Sequence, residues 1–245
     1  MQRKECWCGG SLLPFKWHKS FKVCAECGSY VNWRPPIPDD LARLYSIDLY
    51  WRTRQRSKGF PTIEERSALY RSDGRVDQWL SLIDRYGPKQ GVVIEAGCAP
   101  GVLLQELDTR GYDCIGVEIS EDVVAWLKTE THLDIRAGAF PGIELPPCDL
   151  FLSFDVWEHS NDPPAFLEAV SRLLKPGAIA IIQTAVDRYD YVPPFGERQD
   201  MFDDLEHLFL FTDRAVTAMA KAADLEVVSL EERLWLAGEV CVFRK

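Results

Sequence analysis

The residues best suited to bind a ligand lie between two acidic positions, Glu95 and Glu118, with a glycine-bearing turn after the first of them. Glycines at 97 and 101 allow a sharp turn and a close approach of the backbone to a ligand. A helix that starts after such a turn presents free N–H groups to an anionic group. Glu118 follows the first glycine by about 20 residues, where a carboxylate accepts hydrogen bonds from ribose hydroxyls. This spacing predicts a nucleoside-binding half-site.

Apolar runs on both sides of the turn indicate the elements that hold it. Val92–Ile94 is a β-branched run of the kind buried in parallel sheets. We expect a helix that begins with Val102 and Leu103, with Pro100 placed where a first helical turn tolerates proline, and a second strand from Cys114 to Val117. The turn does not match G-x-G-x-x-G, which disfavours a dinucleotide site. An ordinary βαβ unit without a ligand is the alternative interpretation.

This stretch resembles the first motif of the class I S-adenosylmethionine-dependent methyltransferases, which has a Glu/Asp-x-Gly-x-Gly-like form. Ala99 stands where many members have a glycine. The resemblance implies S-adenosyl-L-methionine as the cofactor. It also implies a set of cofactor-binding residues, two of them (Ala139 and Phe140) against the adenine ring: Glu95, Gly97, Cys98, Ala99, Gly101, Glu118, Ile119, Ala139, Phe140, Asp155 and Val156. Phe140 is equally compatible with a position in the core.

A second chemical stretch, with Asp155, Glu158 and His159, follows the apolar segment Leu150–Phe154. The carboxyl ends of strands form the ligand crevice of a doubly wound sheet, so we expect these three side chains at the site. The pattern resembles the Asp/Glu-x-x-Glu-His stretch of small-molecule O-methyltransferases related to ubiquinone-biosynthesis enzymes.

A hydroxyl acceptor needs a base to take its proton as the methyl group is attacked. Imidazole is neutral and basic near pH 7, so His159 and His207 are the candidate catalytic residues. The alternatives lie in a long polar and aromatic insertion, residues 186–210, which the resemblance places over the active site: Tyr189, Asp190 and Tyr191.

Four of the eight cysteines lie within the first 27 residues, as two pairs: Cys6 with Cys8, and Cys24 with Cys27. Two pairs at this separation predict a tetrahedral zinc site, and four thiolates leave no open position, so the ion is expected to be structural. His18 is a possible substitute ligand, ranked below Cys6. A redox pair at 24 and 27 would leave the first pair unexplained, and disulfides fit poorly with a cytoplasmic protein. The ribbon is similar to that of zinc-containing sugar methyltransferases.

Composition restricts the class of protein further. The 245 residues are 47% hydrophobic, which fits one α/β domain with an appendage. No apolar run approaches the ~20 residues of a membrane span, and the start lacks a signal peptide, so a soluble, cytoplasmic protein is expected. The net charge of −10 combines +6 in residues 1–60 with −16 in the remainder. The acidic main domain argues against a nucleic-acid partner, while the basic front could meet an anionic substrate or pair with the acidic body.

Together these patterns predict an α/β fold: a Rossmann-like, seven-stranded, mostly parallel sheet with helices on both faces, preceded by a small zinc ribbon. Residues 1–36 are assigned to the ribbon, 37–88 to a helical linker and lid, and 89–245 to the methyltransferase domain. A short helix is expected after Asp39 and Asp40. A long helix should run from a capping box at Thr62 toward Arg85.

Three finer expectations complete the prediction. Aromatic and basic residues at 50–52 (Tyr50, Trp51 and Arg52) are either lid residues or packing anchors. A turn at Leu173–Gly177 should lead into a strand from Ala178 to Thr184. The last strand should be antiparallel, as in the family that the chain resembles.

The resemblance implies methyl transfer to a small molecule, preferably to a hydroxyl of a sugar or a nucleotide-linked glycan precursor. C-methylation of a keto-sugar is one alternative. The other is a non-catalytic, cofactor-binding or RNA-associated module that uses its ribbon as an adaptor.

Overall fold

The structure, a computed structural model, describes residues 2–35, 43–186, 202–203, 205–232 and 239–245. A four-stranded sheet forms from short strands in the order β1, β2, β3, β9. These strands span Leu12–Pro14, Phe21–Cys24, Tyr30–Asn32 and Phe209–Leu210. The ribbon thus takes its fourth strand from a segment far along the chain.

A seven-stranded sheet has the order β10, β11, β8, β7, β4, β5, β6. Its strands, in chain order from β4 to β8 and then β10 and β11, are Val92–Ala96, Asp113–Glu118, Asp134–Ala137, Cys148–Phe154, Leu174–Thr184, Glu226–Glu232 and Glu239–Arg244. β4 pairs in parallel with β5 and with β7, and β5 pairs in parallel with β6. β11 pairs with β10 in antiparallel register. The predicted seven-stranded, mostly parallel sheet with an antiparallel last strand is confirmed.

Six α-helices, α1 to α6, occur within the described ranges: Ile63–Ser72, Arg75–Tyr86, Val102–Thr109, Glu121–Glu130, Pro163–Leu173 and Asp213–Ala222. A π-helical segment spans Ile47–Gln55, and a 3₁₀ turn spans Trp157–His159. The helix starts follow their caps. At α1 the Glu65 carboxylate accepts from the Thr62 N–H, and at α6 the Thr212 hydroxyl accepts from the Ala215 N–H. No helix in these ranges is long and apolar enough to cross a bilayer.

Two predicted boundaries and the placement of one proline are wrong, each at a glycine with positive φ. The long helix after Thr62 is two helices, because Gly74, at φ 84°, interrupts it before α2. Helix α3 begins at Val102, as expected, but it follows Gly101 at φ 83°, so Pro100 lies ahead of the first turn and not in it. Strand β8 begins at Leu174, directly after α5. Gly177, at φ 79°, is therefore an irregularity in a strand and not part of a connecting turn.

The lid candidates at 50–52 make contacts typical of packing anchors. Trp51 is buried, and the Arg66 guanidinium lies 5.0 Å from its ring centroid. Arg52 donates to Glu64 at 2.6 Å and to Asp48 at 3.0 Å. Two other predictions lie outside the described residues: the cap at Asp39 and Asp40, and the insertion residues Tyr189, Asp190 and Tyr191.

Contacts divide the chain into two compact units. The ribbon unit comprises Met1–Ile37, Phe154–Ser171 and Ile182–Lys245, and the turn unit comprises Pro38–Ser153 and Arg172–Ile181. Part of the ribbon unit's core forms around Phe21, Tyr30, Phe202 and Leu210. Buried Ile83, Ile94, Leu104 and Phe151 contribute to the turn unit's core. The boundaries expected at residues 36 and 88 stay predictions.

Candidate active site

In the turn unit, the glycine turn after β4 is fixed against β5. The N–H groups of Gly97 and Cys98 donate to the Val117 carbonyl oxygen at 2.8 and 3.3 Å. Gly97 and Gly101 both have positive φ, at 73° and 83°, a backbone conformation that residues with a side chain rarely adopt. A Cβ on Gly101 would also lie 3.0 Å from a methyl group of Leu127. The backbone of the turn is therefore held in a shape that requires glycine at these two positions.

Two buried carboxylates flank this turn, Glu95 within β4 and Glu118 at the end of β5. Burial raises the pKa of Glu95 well above its usual range, and the nearby charge of Glu118 adds to the effect. Burial also raises the pKa of Glu118, to about 6. Hydrogen bonds from backbone N–H groups oppose this rise, and one of them comes from Ile119 at 2.8 Å. Glu95 Oε2 has no hydrogen-bond partner among the described residues. The pair therefore favours a ligand that brings hydrogen-bond donors and positive charge.

S-adenosyl-L-methionine fits these requirements, since it carries ribose hydroxyls, an ammonium group and a cationic sulfur. The buried Ser153 hydroxyl at the end of β7 also lacks a partner within the described part of the chain. The two adenine candidates differ in environment. Ala139 is exposed, whereas Phe140 is half-buried with its ring centroid 5.0 Å from that of Phe151. The contact with Phe151 agrees with the alternative assignment of Phe140 to the core. A contact between Phe140 and the cofactor stays a prediction.

In the ribbon unit, Asp155 follows β7 with a backbone conformation unusual for a residue with a side chain. Its φ is 58°, in the left-handed region, which costs energy in a non-glycine residue. Gln183 holds it from both sides: its carbonyl oxygen accepts from the Asp155 N–H at 2.9 Å, and its side-chain amide donates to Asp155 Oδ2 at 3.1 Å. The carboxylate of Asp155 is thereby oriented before any ligand arrives.

Glu158, His159 and His207 form one cluster in the same unit. One ligand atom of each lies within 4.8 Å of the others, and the two imidazole rings stack at 5.1 Å with 22° between their planes. Glu158 is 1% exposed, and its Oε2 accepts from the Thr184 hydroxyl at 2.8 Å. The structure therefore brings together the two candidate catalytic histidines and a carboxylate.

The protonation states within the cluster follow from burial. Burial lowers the pKa of His159 to about 4, so its ring is neutral at pH 7. Burial and the charge of Asp155 raise the pKa of Glu158 to about 7. Glu158 is therefore the member of this pair that changes charge near neutral pH.

Sequence reasoning placed Glu158 at the site without a proton-transfer role and missed Gln183 and Thr184. The sequence does contain a signal for Glu158, because it precedes His159 and follows a strand that leads into Asp155. For Gln183 and Thr184 the available signal was their place at the carboxyl end of the strand predicted to end at Thr184. Their contacts, with Asp155 and Glu158 respectively, are visible only in the fold.

The cluster also has the composition of a cation site. A carboxylate with two imidazoles is a ligand set that divalent transition metals accept. Burial opposes the charged form of Glu158, and a cation beside the carboxylate would offset that cost.

The four N-terminal cysteines converge as their spacing predicts. The Sγ atoms of Cys8 and Cys24 lie 3.5 Å apart, those of Cys6 and Cys27 lie 3.6 Å apart, and all four fall within 4.8 Å of one another. Sulfurs bound tetrahedrally to zinc at ~2.3 Å lie about 3.8 Å apart, so the arrangement fits this ion. The N–H groups of Glu26 and Cys27 point at Cys24 Sγ, both at 3.4 Å.

The disulfide and His18 alternatives for these cysteines do not match the structure. None of the eight cysteines forms a disulfide. His18 packs instead among aromatic rings, 5.2 Å from Phe21 and 6.0 Å from Phe202. Gly10 is required beside the cluster, because a Cβ there would lie 2.6 Å from Cys24 Sγ.

A parallel sheet with a glycine turn after one strand and a carboxylate at the end of the next defines a Rossmann-like, nucleoside-binding class of protein. Within that class, the family described as "Methyltransferase domain" matches residues 70–230, more than half of the chain. The chain belongs to this methyltransferase-domain family. The resemblance deduced from the motifs is thus confirmed at the level of the family, and the ribbon precedes the matched residues.

Relatives and solved structures agree with this assignment. The chain is 27% identical over 99 residues to a ubiquinone biosynthesis O-methyltransferase of Methylococcus capsulatus, covering 37% of this chain and 42% of that protein. It is 31% identical over 121 residues to one of Caulobacter vibrioides, covering 44% and 48%. The chain thus spans less than half the length of these relatives. An S-adenosylmethionine-dependent methyltransferase from Mesorhizobium loti has the same fold, with a TM-score of 0.57 at 14% identity over 69% of this chain and 100% of that one.

Proposed function

We propose that the protein is an S-adenosylmethionine-dependent methyltransferase that acts on a small molecule. The observation that carries this proposal is the buried Glu95 and Glu118 pair beside a glycine turn, in a chain of the methyltransferase-domain family. The cofactor, when bound, supplies a methyl group already activated by its positive sulfur. The chain then has to align the acceptor with that methyl group and exclude water.

Cofactor binding is assigned to the residues that the motif indicates. Glu118 would accept hydrogen bonds from the ribose hydroxyls of the cofactor. Glu95 would bind one of its positively charged groups. The turn supplies backbone N–H groups. The remaining assignments follow the resemblance: Gly97, Cys98, Ala99, Gly101, Ile119, Ala139, Phe140, Asp155 and Val156.

The acceptor's proton is assigned to the cluster of Glu158, His159 and His207. A base works best when its pKa lies near the working pH, which the pKa of about 7 for Glu158 satisfies. His159, with a pKa of about 4, is a weak base and instead stacks on His207. Glu158 therefore takes the proton, His207 lies beside it in the same cluster, and His159 supports the His207 ring.

The same three side chains support a second mechanism, in which they hold a divalent cation. A cation there would lower the pKa of an acceptor hydroxyl, so that no side chain has to remove the proton alone. The two mechanisms differ in one measurement. After dialysis against EDTA under conditions in which the ribbon retains its zinc, turnover persists for the base mechanism. It returns only on addition of Mg²⁺, Mn²⁺ or Zn²⁺ for the cation mechanism.

For the acceptor, the names of the relatives favour oxygen over carbon, since those matched are O-methyltransferases of ubiquinone biosynthesis. They also favour ubiquinone precursors over the sugar that the sequence analysis preferred. Sugars and nucleotide-linked sugars remain the second group to screen, because the ribbon that suggested them precedes the residues matched by the family.

We also propose that Cys6, Cys8, Cys24 and Cys27 hold one structural Zn²⁺. The ribbon has only three short strands of its own, too small a core to be stable without a cross-link. Four thiolates around one ion provide that cross-link.

Calorimetric titration with S-adenosylhomocysteine tests the proposed function. Glu118→Ala is expected to weaken binding by about 10- to 100-fold, because hydrogen bonds to a charged group contribute ~1.5–3 kcal/mol. Glu121→Ala, an exposed carboxylate in the first turn of α4, is the matched control and should bind like the parent. No binding to a folded, metal-loaded parent protein would overturn the methyltransferase proposal and favour an adaptor role.

A further inference from the structure

The third strand of the ribbon ends at a buried amide, Asn32, which is 0% exposed. Its backbone N–H donates to the Leu208 carbonyl oxygen at 2.9 Å, and its side-chain amide donates to the His207 carbonyl oxygen at 3.3 Å. Its side-chain oxygen accepts from the Arg34 N–H at 3.1 Å. Both the backbone and the side chain of Asn32 therefore hold the segment that carries His207.

The same segment is tied from its other side to the backbone of Glu158, whose carboxylate belongs to the cluster. The Leu208 N–H donates to the Glu158 carbonyl oxygen at 2.9 Å, so Leu208 bridges Asn32 and Glu158 through its two backbone groups. Beyond Leu208, β9 continues in register with β3, with Tyr30 opposite Leu210. Further along, the Thr212 hydroxyl donates to the Cys27 carbonyl oxygen at 2.7 Å. The connection from the cysteine cluster to the histidine pair is thus continuous.

We propose that Asn32 is a positioning residue that sets the place of His207 relative to Glu158. The ribbon is then a working part of the active site and not an appendage. This inference rests on the proposed function, in which Glu158 and His207 lie together at the acceptor's reacting group.

Geometry explains why one amide should matter to turnover. Loss of its donor removes the side-chain hydrogen bond that holds the peptide oxygen of His207, so the segment is free to move relative to β3. A shift of about 1 Å in a reacting group can cost about 100-fold in rate, whereas binding of a ligand elsewhere is little affected. The expected signature is therefore a loss in kcat with little change in KM or in cofactor affinity.

Two substitutions test the proposal in the full-length, zinc-loaded protein. Asn32→Asp keeps the acceptor for the Arg34 N–H and removes the donor to His207. Asn32→Ala removes the same donor, together with the acceptor for the Arg34 N–H, without adding a buried charge, and it decides the test if the aspartate variant does not fold. Asn161→Asp is the control, since it adds the same charge at an exposed amide of the same unit.

The first readout is NMR of the imidazole ring protons, which four histidines make simple to assign. The His207 signal is expected to shift in both Asn32 variants, while that of His132, whose side chain is 85% exposed, stays in place. The second readout is kinetic: kcat should fall at least tenfold, with KM and the Kd for S-adenosylhomocysteine within about threefold.

Each outcome decides the matter. An unmoved His207 signal overturns the proposal, and so does a shifted signal with kcat within twofold of the parent. A parent protein that binds no S-adenosylhomocysteine or shows no turnover counts against the proposed function instead, which separates the two failures.

Discussion

The glycine turn and the histidine cluster are built in opposite ways. Every group assigned to the turn lies between residues 95 and 118, on β4, β5 and the loop that joins β4 to the following helix. The histidine cluster draws on residues near 32, 158, 184 and 207, and the hydrogen bonds between them cross much of the chain. The first site depends on local backbone shape and the second on long-range assembly. Changes far from the chemistry should therefore harm the second site more.

Removal of the Zn²⁺ proposed for the ribbon is expected to give the largest effect and to separate the two sites. In Cys24→Ala the zinc content should fall from one ion per chain to none, because structural zinc sites need all their ligands. Turnover should drop by about 100-fold or more as His207 is displaced, while affinity for S-adenosylhomocysteine stays within about threefold.

Cys241→Ala is the matched control, because this buried thiol of the same unit lies outside the cluster. It should keep its zinc, as measured by atomic absorption. Equal loss of cofactor affinity and turnover in Cys24→Ala would show that the two sites are not separable.

Glu158→Gln is expected to lower kcat by about 100-fold, the usual contribution of a positioned base. In the parent, kcat should rise with pH through about 7 as the carboxylate ionises, and this limb should vanish in the variant. A pH profile identical in both proteins would contradict the assignment of Glu158.

The free energy of unfolding should also depend on the ionisation of Glu158, but it should fall with rising pH where kcat rises. The folded-state pKa of Glu158 is raised, so the folded protein binds the proton more tightly than the unfolded chain. Its contribution to the free energy of unfolding is therefore fully present below about pH 4.5 and lost as the pH rises through about 7. Glu158→Gln should flatten this decline in urea titrations.

Gly101→Ala should weaken the local site by a smaller amount. A left-handed alanine costs ~1–2 kcal/mol, and the new Cβ would also press on Leu127. Gly111→Ala is the control, since Gly111 has φ 88° but nothing within 4 Å of a Cβ. Both variants should lose stability, but only Gly101→Ala should lose affinity for S-adenosylhomocysteine.

The smallest effect is expected at His132. Its side chain is exposed and pairs with Asp108 at 3.0 Å, away from the assigned residues. His132→Ala should leave kcat within about twofold of the parent, as most surface substitutions do. A larger loss would show that His132 also contributes to catalysis, in addition to His159 and His207.

The same contrast decides what could be predicted from sequence. The strands, the sheet, the cysteine convergence and the glycine turn follow from local patterns: β-branched runs, short spacings and acidic strand ends. The pairing of β3 with β9 has no local signal, because a two-residue strand at 209–210 is too short to show a period. The break at Gly74 was overlooked because the apolar pattern continues on both sides of it. The pKa of Glu158 depends on burial, which only the fold supplies.

The pairing of Tyr30 with Leu210 also sets an order for synthesis and folding. The turn unit is drawn largely from one continuous stretch, Pro38–Ser153, whose strands can pair as soon as that stretch has been made. The ribbon, although made before the turn unit, must wait for residues 209–212 before its sheet gains a fourth strand and Cys27 gains its partner on Thr212. Contacts of such long sequence separation form slowly. During translation the nascent chain therefore holds an unpaired β3 edge until residues 209–210 have left the ribosome.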